Sequence, residues 1–262
     1  MKIVIFGKGR VGEATAHALT SRAKEYIEVL WVDPAKNLNV SSLEGVTIAI
    51  VCVPSLEQGP YDHSVLDQTL LTLQQLNFDG ITAIRSTVTP DWIIERSKTY
   101  QRLNIIHFPE FMKQHGDHIN DKPWTVVLGG DIQYTQLFGR FLSLCGYGAS
   151  AEYVHTSAAA STLIKLGQNG FLATKVSYFN MIADTCAKYG VDYNTVRDAI
   201  TIDDRIGKKH TDVPGWDGQR GYGGHCLPKD LMALSRIVEL CDIPASVITY
   251  NRRIRSENVQ TK

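Results

Sequence analysis

The sequence predicts an α/β chain: a doubly wound, mostly parallel sheet over residues 1–155, followed by an all-helical domain over 156–262. Three observations carry that expectation. Short β-rich apolar runs alternate with helix-compatible stretches as far as about residue 155. The first run ends in a glycine-rich turn that opens a helix. Beyond Ser157 the runs give way to a proline-free stretch reaching Tyr189, which reads as one long helix.

The first strand is Lys2-Ile3-Val4-Ile5-Phe6, followed by Gly7-Lys8-Gly9-Arg10-Val11-Gly12 and then by helix-compatible Glu13-Ala14-Thr15-Ala16-His17-Ala18-Leu19. Gly7 permits the tight turn, Gly9 lets a pyrophosphate approach the backbone, and Gly12 lets helix and strand pack closely. Arg10 and Val11 lie where the helix N-terminus faces the phosphates. A second run, 27–32, ends at Asp33, about 20 residues beyond the glycines, where a carboxylate bonds the ribose 2′-OH. It would repel a 2′-phosphate, so NAD is expected over NADP. The context is that of a Rossmann-like dinucleotide-binding domain, with an ordinary strand-to-helix turn as the competing reading.

Further strands are expected at 47–53, 81–87, 104–108 and 124–130. Ligands of open α/β sheets gather at the carboxyl ends of strands. Val53, Pro54 and Ser55, Ser86 and Thr87, and Pro109 and Glu110 therefore become candidates for lining the crevice.

In the helical half, shorter helices are expected near 193–202, 228–241 and 245–257 after the long one. Lys165 and Asn169 are four residues apart, hence on one helix face. Lys165 sits among Leu163, Ile164, Leu166 and Phe171, where a lysine needs a buried partner or a ligand. Near the end, Gly221-Tyr222-Gly223-Gly224-His225-Cys226-Leu227-Pro228-Lys229-Asp230 places a cysteine between a glycine loop and a helix start, with Pro228 suited to the first helical position. Orphan N–H groups, the helix dipole and Lys229 all favour a thiolate, which can attack an aldehyde. The glycines would admit a ligand close to the backbone. A buried structural thiol is the alternative. Glu110 and Arg205 read, by themselves, equally well as a loop carboxylate and a surface ion pair.

Composition excludes several classes. The 27 basic and 27 acidic residues cancel, and no basic stripe suggests nucleic acid. No stretch is long enough to span a membrane. The five cysteines, at 52, 145, 186, 226 and 241, contain no CxxC pair, so neither a disulfide framework nor a metal site is expected, and the reducing cytoplasm is the expected location.

Taken in order, these motifs resemble the UDP-glucose/GDP-mannose dehydrogenase family of nucleotide-sugar 6-dehydrogenases. The resemblance runs through the glycine turn, Val51-Cys52-Val53-Pro54, Arg85-Ser86-Thr87-Val88-Thr89-Pro90 and Phe108-Pro109-Glu110-Phe111. It continues through Lys165-Leu166-Gly167-Gln168-Asn169-Gly170-Phe171-Leu172-Ala173-Thr174-Lys175, Asp204-Arg205-Ile206-Gly207 and the Gly221 to Asp230 segment. It implies a Rossmann-like domain followed by an all-helical central and dimerisation domain. It also implies an NAD-dependent four-electron oxidation of a primary alcohol on a nucleotide sugar. Cys226 would be the nucleophile, forming a thiohemiacetal and then a thioester. Lys165 and Asp230 would position water and stabilise oxyanions, and Asn169 would orient substrate. Glu110 would assist thioester hydrolysis, and Thr87 would lie between cofactor and reacting carbon. Arg205 would reach across a homodimer interface, while Phe111, Tyr222 and Gly223 would contact substrate.

The chain also departs from the family. Family members continue into a second Rossmann-like domain that closes over the nucleotide, and this sequence stops at Lys262. Expectation therefore divides among a nucleotide held by other means, a partner chain supplying the missing half, and a smaller substrate. His225 stands where a small residue is usual, and Gln114 where a second acid is common. Two rivals follow: a two-electron β-hydroxyacid dehydrogenase resembling the 6-phosphogluconate group, whose chemistry needs no cysteine, and a catalytically silent NAD-binding module.

Overall fold

A computed structural model describes residues 1–55, 62–111, 123–239 and 241–260. The chain divides into two compact units, Met1–Lys165 and Leu166–Lys262. The division falls inside the long helix.

In the first unit the strands are β1 (Lys2–Phe6), β2 (Glu28–Val32), β3 (Val46–Val51), β4 (Ile81–Ile84), β5 (Ile105–His107), β6 (Thr125–Gly129) and β7 (Glu152–Thr156). The helices are α1 (Arg10–Thr20), α2 (Ser64–Gln75), α3 (Pro90–Thr99) and α4 (Ile132–Leu144). The sheet order is β2-β1-β3-β4-β5-β6-β7. All neighbours are parallel except β5 and β6, which meet antiparallel at His107 and Gly129. The strands read as continuous apolar runs because helices cover both faces. Val4, Phe6, Ala49 and Val51 pack on one side with Leu66 and Leu70 of α2 and with Trp92 and Ile93 of α3. Ile3, Ile5, Ile48 and Ile50 pack on the other with Leu19 of α1 and with Phe138 and Leu142 of α4.

The sequence pattern does not signal β7. Its residues are all partly or fully exposed at the sheet edge, leaving no apolar run to detect. The antiparallel junction of β5 and β6 agrees with the expected mostly parallel sheet.

The second unit holds most of α5 (Ala158–Tyr189), then α6 (Tyr193–Ile200), α7 (Cys226–Ile237) and α8 (Ile243–Gln260). Its core gathers Ala173 of α5, Tyr222, Leu231 of α7 and Ile248 of α8. No helix among the described residues is long and apolar enough to cross a membrane.

The start of α5 is tied to the sheet by a polar contact. The fully buried ring of His107, at the end of β5, shares a hydrogen bond of 2.7 Å between its Nδ1 and Ser161 Oγ. Burial pulls the imidazole down to about 3, aided by the Lys165 charge, against a raising backbone contact at Ser86. The folded pKa thus lies below the ~6.5 of an exposed histidine, so protonation favours the unfolded chain. Its stabilising contribution is intact above about pH 6.5 and declines as pH falls from there towards 3. Calorimetry from pH 7.5 to 4.5 should show a Tm decline that is shallower in His107→Gln than in the parent. Equal slopes would remove His107 as the titrating group.

Candidate active site

The glycine turn divides its tasks as its chemistry requires. Gly7 adopts φ +89°, and a side chain there would begin 2.5 Å from the carbonyl oxygen of Cys52. At Gly12 it would begin 2.0 Å from the carbonyl oxygen of Gly7, so only glycine lets α1 start this close to the turn. A side chain at Gly9, the N-cap of α1, would meet nothing within 4 Å. That open, exposed surface beside the first N–H groups of α1 has the geometry that a pyrophosphate requires. Arg10 and Val11 open the helix. The Asp33 carboxylate accepts the Lys8 backbone N–H at 2.9 Å, placing it beside the turn at the end of β2. These residues fit an NAD adenosine diphosphate half.

Three adjacent strands deliver the next candidates. Ser86, after β4, donates to the carbonyl of Val53 at 2.6 Å and so ties two strand ends together. Thr87 beside it is half-buried, and Pro54 is exposed. Glu110, beyond β5, pairs with the buried Arg85 guanidinium at 2.5 Å. Arg85 also donates to Tyr147 Oη at 2.9 Å and lies 4.1 Å over the Phe108 ring. Lys165 is only 7% exposed; its ammonium donates to the backbone carbonyl of Glu110 and lies 5.2 Å over the Phe111 ring. The partner required of a buried lysine is thus a carbonyl on the Glu110 segment.

In the second unit Asn169 Nδ2 donates to Asp230 Oδ2 at 2.6 Å, and Lys229 Nζ lies 3.0 Å from Asp230 Oδ1. Asp230 is fully buried. Its charge is balanced by one lysine and one amide, as a buried carboxylate requires. Cys226 is half-buried and is itself the first residue of α7.

Pro228 is the third residue of the helix rather than the first, a position where its missing N–H still costs no intrahelical bond. Lys229 pairs with Asp230.

The glycines before Cys226 differ from expectation as well. A side chain at Gly221 would begin 2.3 Å from Asn251 Oδ1, and one at Gly223 would begin 2.6 Å from the Arg255 guanidinium. Protein side chains line that space. Tyr222 is buried in the core of this unit. Arg205 is 89% exposed and pairs with Asp203 at 2.5 Å within its own turn. That turn is held by Lys175 of α5, which donates to the carbonyls of Ile206 and Gly207 at 2.7 and 2.9 Å. Gln114 lies outside the described residues.

Residue-by-residue reading overlooked Arg85, His107, Lys175, Asn180 and Asn251. The available signal was the placement of polar residues on otherwise apolar strands and helix faces.

The fold and these clusters define a class: a Rossmann-type α/β unit joined to a helical unit that presents a cysteine at a helix start. More particularly, the chain belongs to the UDP-glucose/GDP-mannose dehydrogenase family. The model of that family's central domain matches residues 159–256. A UDP-glucose 6-dehydrogenase from Rickettsia felis is 31% identical over 235 residues, covering 85% of this chain and 51% of the relative. The chain thus spans about half the length of that curated relative. UDP-D-ManNAc dehydrogenase from Pyrococcus horikoshii superposes with a TM-score of 0.80 at 20% identity, over 99% of this chain and 70% of the other. A 3-hydroxyisobutyrate dehydrogenase from Mycobacterium tuberculosis superposes at 0.70 and 16% identity, over 96% and 92%. At those identities the two structures show the fold alone.

The glycine geometry makes opposite expectations at two positions. Gly12→Ala should lose about 1–3 kcal/mol in urea titration, because backbone must move to admit the methyl group. Gly9→Ala should change stability by under about 1 kcal/mol while weakening NAD binding at least about tenfold, measured by calorimetric titration. Undiminished NAD affinity in Gly9→Ala would place the pyrophosphate elsewhere.

Proposed function

We propose that this chain oxidises the C6 primary alcohol of a nucleotide-activated sugar to a carboxylate, using NAD and proceeding through Cys226. The observation that carries the reading is the Cys226 helix start, four residues ahead of a buried Asp230 that is bonded to Asn169 and Lys229. A two-electron hydroxyacid oxidation has no use for that cysteine. Membership of the family supports the same reading.

NAD, when bound, supplies the acceptor for the hydride lost in each of two oxidations. The residues of this chain do the rest. Gly9 and the start of α1 take the pyrophosphate, and Asp33 takes the ribose hydroxyl in preference to a phosphate. The Cys226 sulfur attacks the aldehyde carbon, giving a thiohemiacetal whose alkoxide takes up a proton. Loss of the second hydride leaves a thioester. Water, oriented by Asp230 and Lys165, adds to the thioester carbonyl and releases carboxylate and thiol. Glu110, held by Arg85, assists that hydrolysis, Asn169 orients the substrate and Thr87 lies beside the reacting carbon. One alcohol, two NAD and one water give one carboxylate, two NADH and the released protons.

A second copy of this chain is the proposed partner. On α5, Phe171, Tyr178 and Met181 are 64%, 51% and 45% exposed. Their spacing puts them on one helix face, an apolar stripe of the kind that pairs helices. Light scattering should give a dimer mass, and Phe171→Asp should shift it to monomer. A monomeric parent would remove any role for Arg205 across an interface.

Titration with NAD and a panel of UDP-, GDP- and dTDP-sugars, followed by NADH absorbance, tests the reaction. A cognate sugar should give two NADH per carboxylate. Cys226→Ser should lower the second oxidation by far more than the first, releasing aldehyde, because a serine hydroxyl is the weaker nucleophile. One NADH per turnover, unaffected by Cys226→Ser, would move the assignment to a two-electron hydroxyacid oxidation. No NADH from any of these substrates would leave a silent NAD-binding module.

A further inference from the structure

The loop before Cys226 has no ladder of its own, so its backbone groups need partners from elsewhere. Asn251, on α8 and 7% exposed, spends its whole amide on one residue of that loop. Its Oδ1 accepts the Tyr222 N–H at 2.8 Å, and its Nδ2 donates to the Tyr222 carbonyl at 3.0 Å. Asn180, buried on α5, accepts the Gly221 N–H at 3.0 Å. Its own Nδ2 is anchored on the Val176 carbonyl at 2.9 Å. Arg255, one turn beyond Asn251, donates to the carbonyls of Arg220 and Gly221 at 3.3 and 3.5 Å. It also pairs with Asp217 at 2.7 Å.

The glycines answer to these side chains. Gly221, at φ +77°, leaves room for the Asn251 amide, and Gly223 leaves room for the Arg255 guanidinium. The clamp ends four residues before Cys226. On the far side of the cysteine, Leu231 joins Tyr222 and Ile248 in one apolar cluster. Both flanks of Cys226 are therefore referred to α8.

We infer that Asn251, seconded by Asn180 and Arg255, is the positioning residue for Cys226. It touches no reacting atom; it fixes where the chain stands when it enters α7. This deepens the proposed function and rests on Cys226 being its nucleophile. A loosened loop leaves NAD binding intact, since the glycine turn of the first unit is untouched, and penalises only the steps that need the sulfur in place.

The test compares Asn251→Ala and Arg255→Met with Arg253→Ala, an exposed change on the same helix. Each variant is assayed for Tm, steady-state kinetics and the rate of Cys226 alkylation by iodoacetamide, mapped by mass spectrometry well below its melting temperature. Asn251→Ala should lower kcat at least about tenfold, and Arg255→Met at least about threefold, with KM for NAD within about twofold of the parent. Cys226 alkylation, normalised to exposed Cys241, should rise at least about threefold in both as the loop is released. Arg253→Ala should match the parent. If Asn251→Ala does not fold, Arg255→Met decides alone. A lowered Tm with kcat and Cys226 alkylation unchanged would overturn the positioning role and leave a purely structural clamp. A parent that makes no NADH from any nucleotide sugar, while Cys226 alkylation still depends on Asn251 or Arg255, would sink the functional reading and keep the loop assignment.

Discussion

Burying charge is the constraint around which the two candidate clusters are built. Arg85, Lys165 and Asp230 all lie below a tenth of full exposure. A buried charge left without partners costs several kcal/mol, so each dictates what stands beside it. Arg85 takes the Glu110 carboxylate, the Tyr147 hydroxyl and the face of Phe108. Lys165 takes the Glu110 carbonyl and the Phe111 ring. Asp230 takes Asn169 and Lys229. Apolar packing fixes the layers, but these polar requirements fix the segments that carry the candidate residues.

Glycine serves three distinct ends in this chain. At Gly7 and Gly12 it admits other backbone, which a methyl group would strike. At Gly9 it leaves open surface at a helix start, the condition for a ligand. At Gly221 and Gly223 it admits the protein's own Asn251 and Arg255. The same residue type in two glycine-rich motifs thus leaves open surface in one and room for side chains in the other.

Polar side chains along α5 find partners within each unit. Ser161 meets His107, Lys165 meets the Glu110 carbonyl and Asn169 meets Asp230. Lys175 then holds the turn of Arg205, and Asn180 holds Gly221. In the first unit Ser161 and Lys165 thus hold the end of β5 and the segment beyond it, and in the second Asn169 meets α7 while Lys175 and Asn180 hold loops.

Local chemistry determined much of this protein directly. The strand, glycine turn, helix and Asp33 sequence is read off short-range geometry, and so is the 32-residue helix α5, because period and proline absence are local properties. The candidate status of Lys165 was likewise visible, since a lysine among apolar residues must find a partner. What a residue's partner is cannot be local. The antiparallel pairing of β5 with β6, the edge strand β7, the pairing of Asn169 with Asp230 and the occupants of the space at Gly221 and Gly223 join residues tens of positions apart. Only the tertiary structure decides such pairings, because they depend on which surfaces packing brings within hydrogen-bonding distance, and a sequence pattern records only that a polar group needs a partner.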